Sequence, residues 1–142
     1  MDIKKKANAL VRKYNTRNPF EIVKHLNLIL VIIPLSGNTR GFYQYFQRNN
    51  IIYIDESLPE SEQALVLAHE LGHMLLHMRT NALFLDTRTH LKTYCYEKEA
   101  NTFAAELLIP DSLILENPGY TKSQIARLAG YNEMIMEFKK ID

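Results

Sequence analysis

Residues 64–77 read Ala-Leu-Val-Leu-Ala-His-Glu-Leu-Gly-His-Met-Leu-Leu-His, and this stretch decides the fold. Its leucines and alanines recur at helical spacing and supply an apolar flank that can be buried against other elements. The pattern predicts a long helix from Pro59 to about Met78.

The helix contains the pattern His69-Glu70-x-x-His73. Residues four positions apart lie on one face of a helix, so both imidazoles can bind the same metal ion, and zinc accepts imidazole ligands. Glu70 follows the first histidine and is predicted to lie beside the metal, where its carboxylate can activate a water molecule. The motif therefore predicts a zinc-dependent hydrolytic site in which Glu70 is the catalytic residue.

A catalytic zinc takes three protein ligands, so a third must come from another element. The segment from Tyr94 to Ile109 predicts a second long helix, and it offers two glutamates near its start. Glu97 lies three residues before Ala100, within the apolar stripe that faces the core, whereas Glu99 is rotated away from that stripe. Glu97 is the favoured third ligand and Glu99 remains the alternative. Asn101, one turn after Glu97, is placed to hydrogen-bond the ring of a ligating histidine.

The histidines outside the motif fit the metal site less well. His77 lies eight residues after His69, about 12 Å along a helix, so these two side chains cannot share one ion with His73. His77 is therefore predicted to be structural or exposed. His90 falls within residues 79–93, which show no clean periodicity and are predicted to form a loop, and it remains a minor candidate.

The segments before and after the motif predict an α+β fold. The sheet is expected to be small, antiparallel and three-stranded, and to pack against a helical core that carries the His-Glu-x-x-His helix. A hairpin is expected to join the last two strands. The predicted helices span residues 2–15, 19–26, 59–78, 94–109, 121–129 and 132–139, and the predicted strands span residues 28–33, 41–47 and 50–55.

Length and composition favour one soluble domain. The chain has 142 residues, 46% of them hydrophobic and 23% charged, which fits a single globular domain over residues 1–142. Its formal net charge of +1 gives no strong field for nucleic acid or a membrane surface, so neither is expected as a direct partner. Cys95 is the single cysteine, which favours a reducing compartment, and no apolar segment suits a signal peptide or a membrane span. A cytoplasmic protein is therefore expected.

Two segments taken together resemble the ImmA/IrrE family of metallopeptidases. These are His69-Glu70-Leu71-Gly72-His73-Met74-Leu75-Leu76-His77 and the later run Glu97-Lys98-Glu99-Ala100-Asn101-Thr102-Phe103-Ala104-Ala105-Glu106-Leu107-Leu108-Ile109-Pro110. The resemblance covers most of the chain and is strongest over residues 55–111. It implies a gluzincin-like site in which two histidines and one glutamate hold zinc and a second glutamate is catalytic. The family pattern supports Glu97 as the ligand.

The resemblance also implies a biological role. Members of the ImmA type are antirepressors of phages and mobile elements that cut a helix-turn-helix repressor, whereas IrrE-type members carry extra domains. The present chain is short and so is more similar to the ImmA type. The expected function is zinc-dependent cleavage of such a repressor. Two other interpretations remain open: a zinc-containing module that captures the repressor without cutting it, and a general peptidase or a toxin-linked protein from a mobile element.

Overall fold

The structure, a computed structural model, describes residues 2–77 and 90–141, with the backbone alone for residues 90–93. The helices are α1 (Ile3–Tyr14), α2 (Pro19–His25), α3 (Glu60–His77), α4 (His90–Leu108), α5 (Asp111–Leu115) and α6 (Lys122–Ala129), followed by a 3-10 helix at Glu133–Glu137. The strands are β1 (Ile29–Ile33), β2 (Gly41–Phe46) and β3 (Asn49–Asp55). The predicted α+β class is confirmed. Among the described residues, no helix combines the length and apolar character needed to cross a membrane.

The sheet is mixed, which corrects the expectation of a wholly antiparallel one. Its strand order is β1-β3-β2: β3 pairs antiparallel with β2 and parallel with β1. Gln47 and Arg48 have positive φ angles of 50° and 66°, so they form a tight turn between β2 and β3 and the predicted hairpin is confirmed. The returning strand β3 then lies between β2 and β1. Hydrophobic alternation identifies strands but not their order in the sheet, so the sequence could not show this insertion.

The sheet packs directly on α3. Ile52 and Ile54 of β3 are fully buried on the face towards this helix. Gly41 of β2 allows the closest approach, because a Cβ atom there would lie 2.5 Å from Cγ1 of Val66 on α3 and 2.7 Å from the carbonyl oxygen of Tyr53. The sheet therefore supports α3 one turn before the first histidine of the motif.

Helix α4 packs against the other side of α3. His69 contacts Asn101 and His73 contacts Glu97, so the two helices run in opposite directions. Gly72 has no side chain where α4 comes nearest, since a Cβ atom there would lie 3.1 Å from Phe103 and 3.2 Å from the carbonyl oxygen of Ala100. The two predicted metal-binding segments therefore face each other across a narrow interface.

The carboxyl end of α4 is anchored by charged groups. Arg17 donates hydrogen bonds to the carbonyl oxygens of Glu106 and Leu107, which lie in the last turn of the helix. The side chain of Glu106 is 1% exposed and its Oε1 atom lies 2.6 Å from Nζ of Lys139, which is equally buried. Asp111 accepts a second hydrogen bond from the same amine at 2.7 Å. These contacts connect the α1–α2 loop, α4, α5 and the carboxyl-terminal segment.

Several element boundaries differ from the predicted ones. The loop prediction for residues 79–93 is wrong for residues 90–93, which are helical, and its remainder lies outside the described residues. These four residues include no proline or glycine, so nothing local stops a helix there. Helix α5 was not predicted: Pro110 ends α4 as expected but is also the N-cap of a further short helix. The predicted helix at 132–139 is a shorter 3-10 helix.

Candidate metal centre

Three side chains from two helices bring their polar atoms together at the α3–α4 interface. His69 and His73 project from α3, and Glu97 reaches across from α4. The Nε2 atoms of the histidines are 3.1 Å apart. Oε2 of Glu97 lies 3.0 Å from Nε2 of His69, and Oε1 lies 2.8 Å from Nε2 of His73. One nitrogen or oxygen atom from each residue lies within 4.8 Å of the others, a spacing that suits a metal ion.

Asn101 orients the first of these imidazoles. Its Oδ1 atom lies 2.7 Å from Nδ1 of His69. An amide oxygen can only accept, so the ring donates from Nδ1 to Asn101, and Nε2 is the ring nitrogen that faces Glu97. The predicted contact between Asn101 and a candidate ligand is confirmed. Such partners fix the tautomer of a ligating histidine in known metal sites.

The donor set fits a small divalent cation. Ligand atoms about 2.0–2.1 Å from a tetrahedral zinc ion lie about 3.4 Å from one another. The two Nε2 atoms are 3.1 Å apart, and they lie 3.0 Å and 2.8 Å from different oxygens of Glu97, so shifts of a few tenths of an ångström would bring these atoms to ligand spacing. Two imidazoles and one carboxylate form a donor set that zinc accepts.

The charges at this centre also favour a cation. Hydrogen bonds from His69 and His73 hold the pKa of Glu97 far below its ordinary value, so its carboxylate stays ionised. Burial alone would lower the pKa of His69, but its hydrogen bond to Glu97 and the charges of Glu70 and Glu97 outweigh burial and raise the pKa. The site therefore concentrates negative charge around nitrogen donors that gain from a positive partner.

Glu70 lies beside the three candidate ligands without belonging to the group. It interacts electrostatically with His69, His73 and Glu97. Burial raises its pKa, and the two histidines reduce this effect. General acid–base catalysis by a carboxyl group is favoured when its pKa lies above its ordinary value.

The other sequence candidates lie elsewhere. Glu99 faces His77 at 3.6 Å and is outside the three-residue group. His77 is buried, with 8% of its surface exposed, between the rings of His73 and Tyr96. His90 begins α4, but its side chain lies outside the described residues.

Two packing features of the centre were not predicted from the sequence. Tyr96 packs against His77 with ring centroids 4.2 Å apart, and Gly72 permits the close approach of α4. Tyr96 directly precedes Glu97, and Gly72 lies inside the motif, so both had a positional signal. Neither signal could be interpreted before the direction and spacing of the two helices were known.

Comparison with known proteins identifies the family. The IrrE N-terminal-like domain, Peptidase M78, matches residues 23–139, which include the entire interface between α3 and α4. The chain belongs to this peptidase family. The predicted ImmA/IrrE membership is thereby confirmed.

Two curated relatives match almost the full chain. The "Uncharacterized immunity region protein 2" of Bacillus phage phi105 is 38% identical over 141 residues, covering 98% of this chain and 89% of the relative. The "Metallopeptidase ImmA" of Bacillus subtilis (strain 168) is 29% identical over 143 residues, covering 96% of this chain and 83% of the relative. The family match supports a peptidase activity for this chain, and the second relative carries the name of a metallopeptidase.

Proposed function

We propose that this protein is a zinc-dependent endopeptidase in which His69, His73 and Glu97 hold the metal and Glu70 is the catalytic residue. The observation that carries the proposal is the convergence of the three donor atoms across the α3–α4 interface. Membership of the peptidase family supports peptide hydrolysis as the reaction. We further propose that residues 1–142 form one metallopeptidase domain, since α1, outside the matched segment, packs against α4.

Each residue has a distinct part in the proposed reaction. Zinc, when bound, supplies a Lewis acid that polarises the scissile carbonyl group and acidifies water. The carboxylate of Glu70 takes a proton from the attacking water and passes it to the nitrogen of the leaving amine. The elevated pKa of Glu70, caused by burial, suits a group that must hold this proton between the two transfers. Asn101 keeps the proton of His69 on Nδ1, away from the metal-facing nitrogen.

We propose a helix-turn-helix repressor as the substrate, cut in the cytoplasm so that repressed phage or mobile-element genes are released. The support is indirect: one relative is named for a phage immunity region and another is named metallopeptidase ImmA. Incubation with the repressor encoded beside the gene, followed by mass analysis of the products, tests this substrate. Cleavage of that repressor at one bond, without digestion of unfolded casein, is the expected result, and casein digestion without repressor cleavage would favour a general peptidase.

The alternative function is repressor capture without cleavage. The presence of Glu70 favours the enzyme, because a site that only holds zinc does not need this carboxylate. A stable complex between the zinc-loaded protein and an intact repressor would support the capture module and refute the peptidase.

A matched pair of variants tests the ligand set. Glu97→Gln and Glu99→Gln each remove one negative charge from neighbouring positions of α4. We expect Glu97→Gln to weaken zinc binding by more than the roughly 10–100-fold that loss of an outer partner costs, and Glu99→Gln to weaken it less. Competition with a chromophoric chelator measures both affinities. A larger loss of zinc affinity in Glu99→Gln than in Glu97→Gln would assign Glu99 as the ligand.

A further inference from the structure

His77 is a buried polar side chain outside the proposed ligand set. It is the last residue of α3, and 6% of its side chain is exposed. Neither ring nitrogen has a hydrogen-bond partner among the residues that the structure describes. An unsatisfied polar group in the interior costs stability that an apolar ring of similar size would not lose. Packing alone therefore does not account for a histidine at this position.

His77 lies next to one candidate ligand and close to the turn of α4 that carries another. Its ring packs against the ring of His73, with centroids 5.6 Å apart, and against Tyr96, with centroids 4.2 Å apart. Its Nε2 atom lies 3.6 Å from Oε1 of Glu99, just beyond hydrogen-bond distance. Tyr96 and Glu99 flank Glu97 in the sequence of α4. His77 therefore contacts one candidate ligand, His73, directly. It also contacts Tyr96 and lies near Glu99, which stand on either side of Glu97 in the sequence of α4.

Among the described residues, the side chains around Glu97 on α4 are mostly exposed or half-buried up to Ala100, which is fully buried. The side chains of Tyr94, Cys95 and Lys98 are exposed, and continuous burial of the helix begins only near Phe103. Glu97 itself is 50% exposed. The contacts of Tyr96 and Glu99 with His77 therefore add to those that Glu97 makes with His69 and His73 in holding this turn of α4 against α3.

We propose that His77 is a positioning residue of the metal centre, which supports the ring of His73 and, through Tyr96 and Glu99, keeps Glu97 in register with the two histidines. The inference rests on the proposed metal site. His77 does not bind the ion itself: its ring nitrogen is directed at Glu99, and the group of donors suited to a metal omits it. Its Nε2 atom contributes beyond the shape of the ring, because an electrostatic contact at 3.6 Å draws the carboxylate of Glu99 towards α3.

The replacement His77→Phe separates the two contributions, since phenylalanine keeps an aromatic ring but has no nitrogen. We expect zinc affinity to fall about 10-fold or more, the range seen for outer partners of metal ligands. The melting temperature of the metal-free protein should stay unchanged or rise, because the variant removes unsatisfied polar atoms. The control is His25→Phe, at an exposed histidine stacked on Tyr14, which should leave zinc affinity unchanged.

Chelator competition gives the zinc affinity, and the visible absorption spectrum of the cobalt-substituted protein reports ligand geometry without any activity assay. A cobalt spectrum altered in His77→Phe but not in His25→Phe supports the positioning role. Glu99→Gln, at a partly exposed site, provides a second test and should weaken zinc binding by about threefold to 10-fold, at or below the lower end of that range. Unchanged zinc affinity in both His77→Phe and Glu99→Gln would overturn the inference, and if His77→Phe does not fold, unchanged affinity in Glu99→Gln alone overturns it. Failure of the unaltered protein to bind zinc would instead refute the proposed metal site, and the inference with it.

Discussion

Replacing Gly72 with alanine tests the narrow interface on which the centre depends. Gly72 lies between the two histidines in the sequence, and its missing side chain faces α4. An added Cβ would lie 3.1 Å from Cβ and Cδ1 of Phe103 and 3.2 Å from the carbonyl oxygen of Ala100. Carbon atoms pack best at about 3.5–4.0 Å, so the new atom comes roughly 0.4–0.9 Å too close. Two of these three neighbours are held by the backbone of α4, so the helices themselves must separate.

The expected loss in the free energy of unfolding is the balance of two opposing effects. Overpacking of a close-packed interior costs about 1–3 kcal/mol, and the upper part of that range applies where the neighbours cannot rotate away. Replacing glycine with alanine within a helix stabilises the helix by about 1 kcal/mol. The net loss of about 1–2 kcal/mol corresponds to a fall in melting temperature of roughly 2–8 °C for a domain of this size. Zinc affinity should fall as well, because the separated helices carry the ligands.

Gly119→Ala is the matched control for this replacement. No atom lies within 4 Å of a Cβ built at Gly119, so this change should be neutral or slightly stabilising. Urea denaturation of the metal-free proteins and zinc titration of each provide the two measurements. If Gly72→Ala matches Gly119→Ala in both, the α3–α4 contact is not as tight as the structure indicates and the reasoning fails.

Three further predictions address the surroundings of the centre. Asn101→Ala should weaken zinc binding by about 10-fold or more in chelator competition, since the proton of His69 loses its acceptor. Lys139→Met should lower the free energy of unfolding by about 1–3 kcal/mol in urea, because the buried carboxylate of Glu106 loses its nearest cation but keeps the amide of Lys140 and a longer contact with Lys4; no loss would show that these partners compensate fully. Burial alone would raise the pKa of Asp111, but hydrogen bonds from lysines outweigh it and lower the pKa. The stability contributed by Asp111 is therefore present above the unfolded pKa of about 3.9 and lost as pH falls below it, so the difference in unfolding free energy from Asp111→Asn should shrink below about pH 4 and would contradict the assignment if it were constant.

Local signals explain why much of the fold could be predicted from the sequence. Periodic apolar residues indicated α3 and most of α4, and Asn18 with Pro19 marked the start of α2, where the Asn18 side chain caps the amide of Phe20. The parallel pairing of β1 with β3 could not be predicted, because strand order depends on contacts between distant segments. The four additional residues at the start of α4 carry no periodic signal.

In the candidate site, too, local features could be predicted from the sequence, whereas features that depend on helix packing could not. The spacing of His69 and His73 on one helix is a local property, so the sequence indicated their common direction. The preference for Glu97 over Glu99 came from the position of each residue relative to the apolar stripe of α4, and in the structure Glu97 contacts both histidines. The burial of His77 against α4 depends on how two helices are spaced and could not be derived from either helix alone.

The central claim is that Glu70 performs proton transfer at a metal held by its neighbours. The most direct test compares the unaltered protein with Glu70→Gln, each shown by elemental analysis to carry zinc, in cleavage of the repressor encoded nearby. We expect equal zinc content of one ion per chain, with products formed by the unaltered protein alone. Cleavage by Glu70→Gln at an undiminished rate, or the absence of zinc from the active protein, would contradict it.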